Sequence, residues 1–453
     1  MQSLALRLSK INYSFFKVIT PNSRLSSSAE PKPKSSDTSL SNLFDDSYTY
    51  GVRSGELAND PLALARFLVS RVVAYGRNFL VIDKPANLSV WGHAYSASPL
   101  ISGATSQSPP LSVRECLPHL RDVLSGSNPF SLTNPSDSSR PLSVLVSGKG
   151  NKHSERPFSN AWAPPSEIFI VEALPAAYSG LILLATSKAY ADFARSFYRD
   201  ATKNTFPGSI YQTFHIACWG HPSRDHAENE RFPIAVYKAS ESISVAYRPT
   251  DDKITSRSNK RGALVFKHVG HSVLSRGSNQ GSGSLIKLVC NSCYAGLPEV
   301  YLLHEGCEVI GEDIQASRLV ENAGVPMVLP PAMAKLGAPI RTELLKIFGV
   351  KNIPRAAIPT HIHRSQLLIP SPLSTSSKVE MFSRRHQSPF GWIFNTQEGS
   401  PILSWKTYPA NEKKNVCFLS AASPSLPSYF VRTLEKLGLS TEYPLKTVRK
   451  GSN

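Results

Sequence analysis

The sequence predicts an α+β fold. Three observations carry that expectation. Short apolar runs of strand length end at Gly, Pro or Asp; amphipathic stretches of helical period lie between them; and long Pro- and Ser-rich polar segments interrupt the series. No internal repeat is present.

The first 29 residues contain no acid and hold Arg7, Lys10, Lys17 and Arg24 among Leu, Ile, Phe and Ser. That is the composition of a mitochondrial transit peptide, with charges breaking any secretory apolar core, so residues 1–30 are set aside and the matrix is the expected location. Residues 31–60 are Ser-, Pro- and Asp-rich and read as a disordered linker. The folded part is expected over 61–440, followed by a basic tail at 441–453.

Residues 63–73 have helical spacing. Phe79–Ile82 is a strand stopped at Asp83-Lys84-Pro85. A Ser/Pro/Gly loop occupies 93–111. Ser112 with Glu115 forms a capping box that opens a helix through Leu117, Leu120 and Leu124, with Pro118 inside it. Residues 125–165 are too polar and too long for an ordinary loop and read as an insertion, with a basic patch at Lys149, Lys152, His153 and Arg156. Strands are expected at 167–171 and 180–185. Ser187 then caps a helix with the apolar face Tyr190, Phe193, Ala194 and Phe197, Arg195 and Arg199 lying off it.

Residues 211–219 are a strand. Residues 221–283 read as a second polar insertion, carrying Lys253, Arg257, Lys260 and Arg261. Strands follow at 285–290, 358–370 and 416–421. A short helix spans 339–348 with proline in its first turn, and another spans 429–437 and ends at Gly438.

A chain of 453 residues with 41% hydrophobic content and 35 prolines has room for one domain with extensions. Net charge is +17, and only about four of those charges lie in residues 1–40. The basic body suits a polyanion, and RNA is the natural candidate; a merely soluble basic surface is the plainer alternative. Six cysteines do not make a disulfide framework and fit a reducing compartment. No apolar run is long enough to span a bilayer, so no membrane partner is expected.

The stretch at 170–186, IVEALPAAYSGLILLAT, resembles the H-R-L-D-x-x-T-S-G-L-L-L-L-A motif of the RluA-type pseudouridine synthases. Four further stretches resemble that family in order, and a fifth stands where a family segment would fall. FLVIDKPANLSVWG at 79–92 is similar to V-V-N-K-P-x-G-L-x-V-H, with Lys84-Pro85 in place and Asn87 at the usual glycine. QTFHIACWG at 212–220 is similar to K-x-Y-x-A-x-V-x-G. CYAGLPE at 293–299 stands at the G-R-T-H-Q-I-R segment. IPTHIHRSQLLIP at 358–370 and LSAASPSLPSYFVRTLEKLGL at 419–439 are similar to late segments of the mitochondrial and metazoan members. The resemblance implies a mixed, mainly antiparallel bent sheet with flanking helices around a central RNA cleft. It implies an RNA partner, mitochondrial messenger or ribosomal RNA, and mitochondrial ribosome or RNA-granule proteins as further partners. It implies no cofactor.

The family reaction detaches uracil from ribose, turns it and rejoins it through carbon. An aspartate acts at the sugar–base centre, a positive side chain keeps it ionised, and a tyrosine packs on the flipped base. In this chain the aspartate falls on Pro175, the tyrosine on Phe214 and the positive charge on Glu299. None can take the family role, so the resemblance implies an RNA-binding protein with impaired catalysis. Two alternatives stay open: an active enzyme using another acid, and a mitochondrial assembly subunit that binds no RNA. Glu172 is the fallback acid, although three residues from Pro175 in an extended segment would aim it at the opposite face. Asp192 and Asp200 belong to the next helix. Lys84, Ser179, Gly180, Phe214, His361 and His363 are the RNA-contact candidates. Each has a plainer reading as a packed or solvated residue, and the two histidines at spacing two share a strand face.

Cys290, Cys293, His304 and Cys307 have the spacing C-x2-C-x10-H-x2-C, compatible with zinc. Because Cys290 ends an apolar strand, core packing is the preferred reading and no metal is expected.

Overall fold

In the computed structural model, the residues described are 60–76, 78–92, 111–126, 165–202, 210–238, 244–250, 264–277, 283–335, 339–349, 358–370, 393–394, 403–408 and 416–440. The expectations for 1–59, for the basic loops at 149–156 and 253–261, for most of 93–111 and 125–165, and for the tail lie outside them.

Helix α1 (Pro61–Ser70) is started by Asp60, whose carboxylate accepts from Leu62 N at 2.8 Å, with proline at its first position. It buries Leu64, Ala65, Leu68 and Val69. The apolar run does not continue as helix: Val72–Gly76 is strand β1, as suits two adjacent valines and a tyrosine. Strand β2 (Phe79–Lys84) pairs antiparallel with it. Helix α2 (Val113–Gly126) opens on the expected capping box. Glu115 Oε2 accepts from Ser112 N at 2.7 Å, and Ser112 Oγ accepts from Glu115 N at 3.4 Å.

Strands β3 (Phe169–Glu172) and β4 (Ser179–Ala185) follow, then helix α3 (Lys188–Thr202). The buried face of α3 is Tyr190, Ala191, Ala194, Tyr198 and Ala201, with Phe197 partly buried against the same cluster; of the expected face only Phe193 turns outward. The alanines allow close approach, and the two tyrosines satisfy their hydroxyls inward, Tyr190 on Pro370 O at 3.0 Å and Tyr198 on Leu368 O at 2.7 Å. Phe193, lacking a polar tip to anchor, is 37% exposed.

Strand β5 (Gln212–Trp219) is buried along its length. The stretch expected as a second polar insertion carries three strands, β6 (His226–Lys238), β7 (Ser244–Tyr247) and β8 (Leu264–Arg276), which extend the sheet beyond β9 (Gly283–Cys290). Polar residues on their outer positions masked the alternation. Helix α4 (Leu297–His304), the short strand β10 (Glu308–Val309) and a separate hairpin of β11 (Leu319–Asn322) and β12 (Val325–Val328) come next. Helix α5 (Thr342–Phe348) begins later than expected, leaving Pro339 outside, and ends at Gly349 with φ 72°. Strands β13 (Ile362–Pro370), β14 (Ile393–Phe394), β15 (Leu403–Tyr408) and β16 (Val416–Ala422) and helix α6 (Ser428–Lys436) complete the series. No described helix is long and apolar enough to cross a membrane.

The described strands other than β11 and β12 form one mixed, mainly antiparallel sheet whose main path runs β14-β1-β2-β4-β13-β5-β9-β8-β6-β7, with β4 and β13 parallel and with β3 on β4, β10 on β5, β16 on β13 and β15 on β16 off that path. Helices flank it, as expected. Along one edge of β4 the partner changes. Ser179 and Gly180 pair with β13, whereas Leu183 to Ala185 pair with β3. The sheet forks there. Gly180 makes the fork possible: its φ is 111°, and a Cβ at this point would collide with the Arg364 backbone. Gly180→Ala is therefore expected to cost at least about 2 kcal/mol in urea unfolding of the full chain; unchanged stability would contradict this account of the fork.

Candidate functional site

Arg364 fills the fork. It is the cross-strand partner of Phe214 on one side and of Gly180 on the other, and it is fully buried. Its Nε donates to Leu181 O at 2.6 Å, the carbonyl exposed where β4 changes partners. Its Nη1 donates to Glu172 Oε1 at 3.1 Å and to Gln212 Oε1 at 3.0 Å. One guanidinium thus ties β3, β4, β5 and β13. Glu172 was expected to face away as a surface acid, yet its side chain is only 17% exposed and forms this ion pair. The period-two argument fails for two reasons. A bulge between Ile170 and Glu172 resets the register, and the strand ends at Glu172, so Pro175 lies beyond it in a turn. Burial raises the Glu172 pKa, and the Arg364 charge opposes that shift.

Lys84 is also fully buried. Its ammonium donates to Pro85 O at 2.9 Å, Leu88 O at 3.0 Å, Ala176 O at 3.0 Å and the Tyr178 carbonyl. Burial, with the nearby Arg364 charge, pushes its pKa well down. Lys84 binds the loop after β2 to the turn before β4. Asn87, in that loop, has φ 67°, a left-handed conformation that asparagine tolerates where the motif has glycine.

The three altered motif positions meet around one residue that the sequence reading missed. Tyr178 N donates to Pro175 O at 3.2 Å. Its ring stands edge-on to Phe214, centroids 6.1 Å apart at 78°. Its hydroxyl donates to Glu299 Oε2. Tyr178 and Phe214 are both buried. Tyr178 occupies the threonine position of the H-R-L-D-x-x-T-S-G motif, and the replacement of a small hydroxyl residue by a large aromatic was the signal that could have found it. Arg364 carried no such signal, because the arginine stands in an otherwise ordinary strand sequence.

The other RNA-contact candidates are engaged inside the fold. His363 Nδ1 lies 3.0 Å from Ser179 Oγ, which is 3.2 Å from the Tyr429 hydroxyl. His361 Nε2 lies 2.8 Å from Thr433 Oγ1, and its ring packs against Tyr429 and Phe430 on α6. Burial holds His361 and His363 neutral, with pKa values lowered to about 4 and about 3. Lys84, Ser179, Phe214, His361 and His363 are each fully buried, so in this conformation none offers side-chain surface to a polyanion.

The zinc spacing does not become a site. Among the described residues no three His, Cys, Asp or Glu side chains gather to hold a metal. Cys290 Sγ donates to Ser292 O at 3.2 Å, Cys293 Sγ donates to Gln212 Oε1 at 3.4 Å, His304 packs on the Phe232 ring, and Cys307 is buried beside Cys218. The three cysteines pack in one core cluster and His304 packs on Phe232 beside it, so the four serve packing.

No family model and no curated protein matches the chain. Among solved structures, it is similar to human RNA pseudouridylate synthase domain containing 4, with a TM-score of 0.48 and 16% identity over 84% of this chain and 97% of that one. It is also similar to human RNA pseudouridylate synthase domain containing 1, with a TM-score of 0.36 and 12% identity over 67% of this chain and 80% of that one.

The Glu299 carboxyl is the titrating element of the cluster. Burial raises its pKa from 4.5 to about 7, against the opposing Tyr178 hydrogen bond. Between those values the folded state binds more protons than the unfolded one, so Glu299 favours folding at low pH and loses that effect as pH rises through about 7. Glu299→Gln keeps an acceptor for Tyr178 without the titration. In urea unfolding, wild type is expected to lose stability relative to this variant between about pH 5 and pH 8; parallel pH profiles would refute the assignment.

Proposed function

We propose that this chain is an RNA-binding relative of the RluA-type pseudouridine synthases that works in the mitochondrial matrix on messenger or ribosomal RNA and does not isomerise uridine by the family's route. The observation that carries the reading is the Tyr178 cluster. Phe214 and Glu299 come from distant stretches, each identified independently by motif position, and meet at the Tyr178 side chain, while Pro175 sits in the turn leading to it and accepts from Tyr178 N. Proline has no ionisable group, phenylalanine has no hydroxyl, and a glutamic acid half-protonated near neutrality stands where a fixed positive charge would keep an aspartate ionised. Tyr178 takes up the space beside Phe214. The basic body of the chain supports the RNA partner through phosphate attraction.

A second reading, an active synthase, is favoured by the Glu172–Arg364 pair at 3.1 Å. A carboxylate held by a guanidinium is what glycosidic chemistry at uridine requires. One experiment separates the two. Full-length protein is incubated with uridine-containing transcripts of mitochondrial messenger and ribosomal RNA, and pseudouridine is quantified by mass spectrometry alongside Glu172→Gln. The expected result is RNA binding that weakens as salt rises, with no pseudouridine above the protein-free control. Conversion by wild type that Glu172→Gln abolishes would establish the active reading instead. An assembly subunit without an RNA role would bind no RNA even at low salt.

The location has its own test. Residues 1–30 fused to a fluorescent protein are expected to carry it into mitochondria and to be removed on import. A fusion that stays cytosolic would remove the matrix from the proposal.

A further inference from the structure

With Tyr178 filling the buried position, an RNA base has to be met at the rim, and one side chain there is displayed for the purpose. Tyr294 is 46% exposed, although it follows Cys293 and lies five residues before Glu299. The turn that carries it is firmly built. Tyr294 N donates to Ser292 Oγ at 2.9 Å, and Gly296 N donates to Cys293 O at 3.3 Å. Ala295 and Gly296 are consecutive left-handed residues, with φ 51° and 72°. For alanine this conformation runs against local preference, so the surrounding structure imposes it. Asn291 fastens the base of the turn through bonds with His268 in both directions and an Nδ2 donation to Ala201 O at 3.1 Å.

A cation backs the ring. Lys267 Nζ lies 5.8 Å from the Tyr294 centroid, within range of a cation–π contact. Lys267 is itself buried and donates to Thr202 O at 2.6 Å, at the end of α3. The lysine therefore fixes the ring against the body while nearly half of the tyrosine stays in solvent. A ring so held loses little freedom when a base stacks on it, and aromatic stacking accepts any unpaired base.

Resting on the RNA reading above, we propose that Tyr294 is a stacking platform for an unpaired base of single-stranded RNA, at the rim of the buried Tyr178–Glu299 cluster. Phosphates meet the basic surface and hold the strand, while Tyr294 contributes the preference for single over double strands, because a base inside a duplex has both faces covered by its stacked neighbours.

The test uses the full chain as wild type, Tyr294→Ala, Tyr294→Trp and Phe193→Ala. Affinity for a mixed-sequence RNA oligonucleotide and for its duplex is measured by fluorescence anisotropy between about 50 and 300 mM KCl. Tyr294→Ala is expected to weaken single-strand binding about 5- to 100-fold and to leave duplex binding and the salt slope unchanged, since no phosphate contact is lost. Tyr294→Trp should bind as wild type does, and so should Phe193→Ala, which removes an aromatic of similar exposure from α3. If wild type binds RNA and Tyr294→Ala binds the single strand equally well, or loses single strand and duplex alike, the platform is wrong. Failure of wild type to bind any RNA at the lowest salt would overturn the RNA reading itself, and the platform with it.

Discussion

The fold depends on a guanidinium placed where a sheet divides. A strand whose neighbour changes partway along leaves backbone groups without a ladder, and an unsatisfied buried carbonyl costs about 1–3 kcal/mol. Arg364 answers that need at the fork of β4, donating to Leu181 O and spanning to Glu172 and Gln212. The charge so introduced into the interior would be prohibitive alone. Glu172 supplies the counter-charge, and the pair holds only because further hydrogen bonds orient it. The constraint runs outward from there. Gly180 must lack a side chain to let the Arg364 backbone approach, Phe214 must sit opposite, and the turn carrying Pro175 must leave β3 where it does.

The same fork explains the shape of the candidate site. Because β3 ends at Glu172, the next residues turn back as a loop, and Lys84 pins that loop by its carbonyls at Ala176 and Tyr178. The pinned loop delivers Tyr178 into the space between Phe214 and Glu299. Two buried cations thus set the backbone, and one aromatic residue closes the interior. What reaches solvent at this edge is a tyrosine on a fastened turn.

The sequence disclosed the local devices better than the long-range ones. The Ser112–Glu115 capping box, the strand ending at Lys84-Pro85 and the helix ending at Gly438 follow from residue chemistry within a few positions, and the structure has them. The strands at 226–238 and 264–276 were hidden because one face of an outer strand can be polar without the period being obvious. On the apolar face of α3 only Phe193 was misplaced, with Tyr198 overlooked as an inward residue, because phenylalanine and tyrosine look alike to a hydropathy pattern, although only tyrosine can satisfy a buried carbonyl. Of the site, Pro175, Phe214 and Glu299 were legible by motif position. Glu172 was misread because a bulge shifts register without leaving a mark in composition. Arg364 was invisible, since nothing in a strand sequence says that its neighbour forks.

Several residues at which the chain keeps the motif serve the fold. Lys84 collects four carbonyls, Ser179 joins β4 to His363 and Tyr429, and Gly180 makes room for a neighbouring backbone. The chain keeps the motif at each of these, and every one has work in holding the fold. The chain departs from the motif at 87, 175, 178, 214 and 299, and of these 175, 214 and 299 are the positions to which the resemblance assigns a part in the reaction. The replacements also fit one another: a phenol at 178 requires an acceptor, and the carboxyl at 299 supplies it. Such mutual fit is what a packed interior requires, and Tyr178, Phe214 and Glu299 provide it here.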